Sequence, residues 1–467
     1  MVGIALYDVV IVGCGPAGIF TALELSEKSD LSILMLEKGL DIRNRRCPAL
    51  TYGVCNKQCK PCNLLNGWGG AGAYSDGKLI LSPDVGGWLT DYLPREELEN
   101  LVKYVDAFYR KFGVPDKVYT GETDFLENIR RKAVLAGLNF IPMTLRHMGT
   151  DKARDVLEAA RKYLDDRVEV KFRAEVAKLL VENGKAIGVE TSDGEVYRAR
   201  YIVLAPGRSG AEWLQKEARR FQLRLENNPI DLGVRVEVPS AVMEPLTDVL
   251  YEPKFQFYSK SFDDMVRVFC VCPHGEVITE IYDDVLTVNG QSYSEKKTDN
   301  TNFAVLVSVS FTEPFKEPIA YGKYIARLAN IIGGGVIIQR LGDLKNGRRS
   351  TEDRINRSIV KPTLKNATPG DLSFVLPYRY LTDILEMLEA LDKVTPGVFS
   401  NHTLLYGVEV KFYSARIKLD RNLETDIKNL YVAGDGAGIT RGLMQASVSG
   451  VIVARSILSR EGITTGT

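Results

Sequence analysis

The sequence is short of everything that marks a nucleic-acid-binding, membrane or secreted protein. It has no surplus of charge, with 60 basic and 60 acidic residues over 467 positions. It therefore carries no electrostatic footprint for nucleic acid or an anionic membrane surface. No apolar run approaches the ~20 residues that a membrane span requires. Residues 1–10 contain no basic n-region and run straight into an apolar strand pattern, which sets the expectation of a cytoplasmic protein without a signal peptide. Histidine is scarce: His147, His274 and His402 are the whole complement, and they form neither an H-x-x-x-H pair nor a triad signature. Cysteine numbers seven, an odd count that argues against a disulfide framework. No internal repeat or low-complexity segment interrupts the chain.

What is present starts at residue 7. Val9, Val10, Ile11 and Val12 are a β-branched run of the kind buried on both faces of a sheet. Gly13-Cys14-Gly15-Pro16-Ala17-Gly18 follows, then a helical apolar pattern over residues 19–25, then a second apolar run over 31–36 that ends at Glu37. This is the strand, turn, helix, strand and acid of a dinucleotide-binding unit. Gly13 permits the tight turn, Gly15 lets backbone approach a pyrophosphate, and Gly18 lets helix and strand pack closely. The helix N-terminus meets phosphate charge. Glu37 suits a ribose that lacks a 2′-phosphate.

Residues 39–87 read as a long irregular stretch holding four of the cysteines and a glycine-rich segment, 67–78. Trp68, Tyr74, Leu79 and Ile80 argue against disorder there. Helical periodicity predicts helices over 94–112, 124–136 and 151–164, with a strand over 138–142. The period then changes. Strands are predicted over 168–172, 175–181, 186–191, 196–200 and 201–205, with Asn183-Gly184 and Asp193-Gly194 as hairpin turns. Residues 219–391 have another character, with strand-like runs at 231–238, 265–272, 277–280 and 304–310, a polar loop over 289–302 and helices over 319–331 and 380–391. The chain returns in a buried strand ending at Gly434-Asp435, and a last helix spans 443–458.

The opening unit, the three-stranded meander before Ala205-Pro206-Gly207, and Gly434-Asp435 together resemble the FAD-dependent oxidoreductases of the glutathione-reductase superfamily. A closer resemblance is to a large family of uncharacterised FAD-dependent dehydrogenases. Four stretches carry it: Cys47-Pro48 with Cys55, Cys59, Pro61 and Cys62; residues 69–78, Gly-Gly-Ala-Gly-Ala-Tyr-Ser-Asp-Gly-Lys; Cys272-Pro273-His274-Gly275-Glu276-Val277; and Asn289-Gly290-Gln291-Ser292. The resemblance covers nearly the whole chain. It implies an α/β fold in which a glutathione-reductase-type, Rossmann-like FAD-binding domain (parallel sheet plus β-meander) carries an inserted α+β substrate domain. The expected boundaries are 1–215 for the FAD-binding domain with its cysteine-containing loop 40–87, 216–400 for the inserted domain, and 401–467 for the return.

The resemblance also implies the cofactor contacts. Gly13, Gly15, Pro16, Ala17 and Gly18 meet the pyrophosphate, Glu37 the adenosine ribose, and the Val176 backbone the adenine. Lys38, Gly70, Ala205, Gly207 and Gly434 join the cofactor-binding set. Asp435 holds the ribityl and pyrophosphate side. Gly442, Leu443, Met444 and Gln445 begin the last helix, whose N-terminal amides face the flavin where negative charge develops on reduction. Ser75, Asp76 and Lys78 are candidate catalytic residues near flavin N5, or solvated turn residues. His274 is a candidate proton donor. Arg348, Arg349, Arg416 and Arg441 are candidate anchors for an anionic substrate, or surface arginines.

Three readings of Cys47, Cys55, Cys59 and Cys62 stay open: an iron–sulfur or zinc site, a redox dithiol, or small packing residues. Their spacing matches no standard ferredoxin or zinc-ribbon pattern, and Arg45, Arg46, Lys57 and Lys60 nearby favour thiolate in either functional reading. Cys14 reads as a small filler, and Cys270 and Cys272 as packing residues sharing one face of a strand. Only one full nucleotide fingerprint exists, so no separate NAD(P)H-binding domain is expected. The expected activity is hydride exchange between a small organic substrate and flavin, with electrons from substrate, from NAD(P)H bound transiently, or from a protein carrier. The alternative is a flavoprotein electron carrier docking a protein partner.

Overall fold

The computed structural model describes residues 6–48, 59–226, 228–282, 285–293, 295–309, 317–412 and 415–464. They form two units: residues 1–117, 146–228 and 414–467 make the first, and residues 118–145 and 229–413 the second.

The first unit is built on a seven-stranded sheet in the order Glu169–Phe172, Ile33–Glu37, Leu6–Val12, Val196–Leu204, Lys185–Thr191, Val176–Glu182, with Leu430–Val432 also paired to Val196–Leu204. Its first strands are continuous apolar runs because helices cover both faces. Val9, Val10, Ile11, Leu34 and Met35 have no exposed surface. Val196–Leu204 is one strand where the sequence pattern suggests two. Its first half pairs antiparallel with Lys185–Thr191, with Gly188 opposite Arg198. Its second half pairs parallel with Leu430–Val432, and nearly the whole strand pairs parallel with Leu6–Val12. The switch from alternating to continuous apolar residues marks where the covering changes, not where the strand ends. The expected hairpin turn at Asn183-Gly184 has φ of 51° and 73°, the left-handed pair that a type I′ turn requires.

Two helices meet under this sheet. Pro16–Lys28 and Leu443–Arg460 touch so closely that a Cβ on Gly450 would lie 2.2 Å from the Ala17 carbonyl oxygen. Thr21 Oγ1 donates to the carbonyls of both Ala17 and Gly450, at 2.9 and 3.1 Å. The other expected helices of this unit form as Arg95–Lys111 and Thr150–Leu164.

The second unit holds an eight-stranded, mostly antiparallel sheet. Its order is Thr368–Pro369, Ile337–Arg340, Leu404–Lys411, Ile230–Pro239, Asn300–Val309, Met265–Cys272, Lys254–Tyr258, Leu138–Ile141. Ile230, Leu232, Val234, Val236 and Val238 alternate onto the core face. Asp231, Arg235 and Glu237 fall on the opposite face and are nonetheless fully buried. Helices Ser240–Leu250, Pro318–Gly333 and Tyr378–Asp392 complete the unit, with Thr123–Leu135 beside the last strand of the sheet. Three elements depart from the sequence expectation. Ser240–Leu250 is helical despite Pro245 inside it. Leu404–Lys411 is a central strand although it ends in buried Glu409 and Lys411. The stretch expected as a polar loop over 289–302 begins inside the hairpin of Glu276–Tyr282 with Val285–Gln291 and ends in Asn300–Val309.

Alanine at position 450 gains helix propensity but meets the Ala17 carbonyl. Gly450→Ala is expected to lose about 1–3 kcal/mol in urea unfolding, the range for overpacked cores. Stability equal to wild type would show that the two helices separate without cost.

Candidate functional site

The strand Leu6–Val12 ends in a turn that only glycine can make. Gly13 has φ of 102°, and a Cβ there would sit 2.2 Å from the Ala205 carbonyl oxygen. A Cβ on Gly18 would sit 2.0 Å from the Gly13 carbonyl oxygen. Pro16 opens the helix Pro16–Lys28 after Gly15, and no side chain caps it. Its first-turn amides have no intrahelical acceptor. A Cβ on Gly15 would meet only Gly70 Cα, 4.0 Å away.

Glu37 governs this turn. Its carboxylate is buried and accepts three backbone N–H groups: Cys14 at 2.9 Å, Gly39 at 2.8 Å and Gly67 at 2.9 Å. The phosphate turn, the end of the second strand and the glycine-rich segment are thereby tied to one side chain. A carboxylate has about four lone-pair positions, so capacity for a further donor remains. Gly69 N–H also donates to the Cys14 carbonyl at 2.7 Å, and Gly70–Tyr74 forms a short 3₁₀ turn.

The segment between is held by Arg45, which is fully buried. Its guanidinium donates to the carbonyls of Asn63, Trp68 and Leu64 at 2.7–2.8 Å. Burial pulls its pKa down to about 10. Arg45 thus folds the loop through carbonyls, a role its sequence position does not suggest. Among the described residues, Cys47, Cys59 and Cys62 do not gather their sulfurs at metal-sharing distance, and Cys55 lies outside the described residues.

The return of the chain supplies the other end. Gly434 has φ of 77°, and its N–H donates to Ser449 Oγ at 3.0 Å. Asp435 Oδ1 accepts from Thr440 Oγ1 at 2.8 Å, and Arg208 Nε lies 3.8 Å from Oδ2. Burial raises the Asp435 pKa, with Arg208 and Thr440 opposing it. Leu443–Arg460 starts after Gly442, again with no side-chain cap, and a Cβ on Gly442 would meet nothing within 4 Å.

Residues 229–412 match the family described as FAD-dependent protein, C-terminal domain-like. This stretch, less than half of the chain, is similar to that family of FAD-dependent proteins. An uncharacterized protein of Clostridium beijerinckii is 27% identical over 477 residues, covering 97% of this chain and 80% of its own length. Glycine oxidase from Geobacillus kaustophilus aligns in structure over 99% of each chain, at 12% identity and a TM-score of 0.41. L-proline dehydrogenase from P. horikoshii aligns over 98% of this chain and 94% of its own, at 12% identity and a TM-score of 0.41. No helix among the described residues is long and apolar enough to cross a membrane.

The geometry of the first unit fits FAD. Two uncapped helix N-termini lie in one unit, as the pyrophosphate and the reduced flavin require. The open space at Gly15 and Gly442 is what a close backbone approach needs. Asp435 is half-buried, held by Thr440 and faced by Arg208.

The remaining sequence candidates separate. Ser75 Oγ donates to the Gly72 carbonyl at 3.0 Å and accepts from Gly77 N–H at 3.3 Å, which makes it the fastening of its own turn. Asp76 and Lys78 form an ion pair at 2.8 Å with little exposure on either side chain. His147, which no motif marks, faces both, and burial pulls its pKa down to about 4. Lys38 Nζ reaches only the Ser209 carbonyl, at 3.4 Å. Leu443 lies over Gly72, where a Cβ would be 2.6 Å from its methyl, and Met444 is buried. Gln445 donates to the carbonyls of Pro83 and Val85 at 2.8 and 3.2 Å. At this helix start the backbone, not the side chains, is available. Arg416 is committed to Asp91 at 2.7 Å and Glu226 at 2.9 Å, a tie within the first unit that leaves little charge for an anionic substrate. Arg441 stacks on Trp88 at 4.2 Å. In the second unit, Arg348 pairs with Asp343 at 2.9 Å, and His274 is anchored through Nδ1 to the Thr298 carbonyl at 3.1 Å.

Two outcomes follow. Gly15→Ala has room in the protein itself but fills the approach to the pyrophosphate. Its cofactor-free melting temperature should match wild type while FAD content after purification falls at least roughly tenfold, a loss of about 1.4 kcal/mol or more in binding. Retained FAD would remove Gly15 from the site. His147 has a folded pKa below its unfolded value of 6.5. Below that value the unfolded chain takes up a proton that the folded chain refuses, so stability falls as pH drops from about 6.5 to 4, by up to roughly 3 kcal/mol. In His147→Gln this part of the pH dependence should be absent from unfolding curves.

Proposed function

We propose that the protein is an FAD-dependent oxidoreductase acting on a small organic substrate, with bound FAD supplying hydride exchange at its N5 position. The observation that carries this reading is the pairing of a glycine-shaped phosphate turn with a second uncapped helix N-terminus at Gly442 in the same unit. The amides of Leu443–Arg460 place positive potential where a reduced flavin gathers negative charge, without any basic side chain.

Asp76, Lys78 and His147 are the protein's proton-handling groups in this reading. Lys78 holds its charge against Asp76 in a site with little water, and His147 stays neutral at physiological pH. In this reading Asp76 is the group placed to accept a proton that leaves the substrate, Lys78 holds the carboxylate in place, and the neutral imidazole adds no charge of its own beside them.

Purified protein should show flavin absorption near ~450 nm. After anaerobic photoreduction, a panel of acceptors should include one that reoxidises it. Replacing the ion pair as a unit, Asp76→Asn with Lys78→Met, avoids leaving one buried charge alone. It should slow turnover with that acceptor by about 10²-fold, the lower range for a lost acid–base group, with FAD content unchanged. Unchanged rates would take the pair out of the chemistry, and absence of FAD would sink the proposal.

A further inference from the structure

Two motifs of the second unit, Cys272-Pro-His-Gly and Asn289-Gly-Gln-Ser, take no part in the function above. They close on one buried group, the guanidinium of Arg235, which has no exposed surface. Its Nε donates to Asn302 Oδ1 at 2.8 Å, and its Nη2 donates to the Cys270 carbonyl at 2.7 Å and to Cys272 Sγ at 3.1 Å. Its Nη1 lies 3.5 Å from Glu409 Oε1, and Glu409 is shared with Lys411 at 3.0 Å. A Cβ on Gly290 would fall 1.7 Å from Arg235 Nη2, and one on Gly275 would fall 2.9 Å from Cys272 Cβ. Glycine at both places lets the two turns press against the arginine and the sulfur.

The strand Met265–Cys272 is irregular here. Its register against Asn300–Val309 breaks between Phe269 and Cys272, and Cys270 adopts φ of 48°. The strand that carries the two cysteines is therefore not the regular one expected. In a flat strand, residues two apart have Cα atoms roughly 6.6 Å apart, near the upper limit of about 6.8 Å for a disulfide. The two sulfurs nonetheless lie 3.9 Å apart. Cys270 is half-buried and Cys272 fully buried. This is the usual division between an attacking thiol and a resolving one.

We propose that Cys270 and Cys272 are a redox-active dithiol whose substrates are low-molecular-weight disulfides, with Arg235 holding the Cys272 sulfur as the resolving thiolate. The Cys270 thiol gives its proton to solvent, and its sulfur attacks one sulfur of the external disulfide. That S–S bond breaks and the first thiolate leaves. Cys272 then attacks the Cys270 sulfur, a new S–S bond forms within the chain, and the second thiolate leaves. Both leaving thiolates take up protons from solvent, to which the Cys270 and Cys272 thiols have each given one. The dithiol is oxidised by two electrons, and the external disulfide is reduced to two thiols. Arg235 favours the anionic form of Cys272 by a charge-assisted contact.

The test uses the intact, FAD-loaded protein and 4,4′-dithiodipyridine as the disulfide. Reaction is followed by alkylation of residual thiols and peptide mass mapping. In wild type, the peptide holding both cysteines should be lighter by two hydrogens and carry no pyridylthio group. Cys272→Ser should retain a pyridylthio group on Cys270, and Cys270→Ser should leave Cys272 unmodified. Melting curves establish that each variant folds, and the wild-type measurement stands without them. A stable pyridylthio adduct in wild type, or two thiols still open to alkylation, overturns the proposal.

Discussion

One carboxylate holds the first unit's site together. Glu37 sits at the end of its strand and receives amides from three separate pieces of chain. Hydrogen bonds to a charged acceptor contribute about 1.5–3 kcal/mol each. A buried carboxylate without them would be costly by a similar amount per missing partner. The phosphate turn and the glycine-rich segment are therefore not two features that happen to be neighbours. They share an acceptor, and neither reaches its geometry without the other. Arg45 extends the same logic with the opposite charge, gathering carbonyls where Glu37 gathers amides. A long stretch with little secondary structure is ordered by two ions buried among backbone dipoles.

This explains what was legible in the sequence and what was not. The turn at Gly13 could be read because a single backbone angle demands glycine and the flanking strand and helix have short-range patterns. The same holds for Asn183-Gly184 and for Gly434. Glu37 was legible as an acid at a strand end, but its two further amides come from Gly39 and Gly67, and no local pattern marks them. His147 is far in sequence from Asp76 and Lys78, and only the pairing of short strands brings it beside them. Leu404–Lys411 was missed because a buried Glu409 and Lys411 look like surface residues until their partners are known. Pro245 hid a helix for the ordinary reason that proline rarely sits inside one.

The second unit shows a different economy. Its central strands put aliphatic side chains on one face and ionised ones on the other, and both faces are closed. Buried charge is tolerable only when each ion finds an opposite one or several dipoles. Asp231 finds Arg267 at 2.5 Å, and Glu237 is met by Thr363, Asn300 and Tyr406. Such an arrangement adds little net stability over an apolar face. What it provides is a set of fixed polar groups inside a rigid sheet, the condition for placing a sulfur or a proton donor to within a fraction of an ångström.

The double pairing of Val196–Leu204 has a consequence for how the protein is made. Its parallel neighbour Leu430–Val432 and the helix that follows are synthesised long after it, and the hydrogen bond from Thr21 to Gly450 spans 429 residues. At roughly 5–20 residues per second, the first helix waits on the order of half a minute or more for its partner. During that time the growing chain has a phosphate turn but no opposite wall, and an apolar strand edge lies open. The second unit, most of which lies between the parts of the first in sequence, emerges and collapses in the interval. Cofactor capture is thus a late event, delayed until the helix Leu443–Arg460 has been made, and a ribosome that stops early leaves a product that has the fingerprint without the grip.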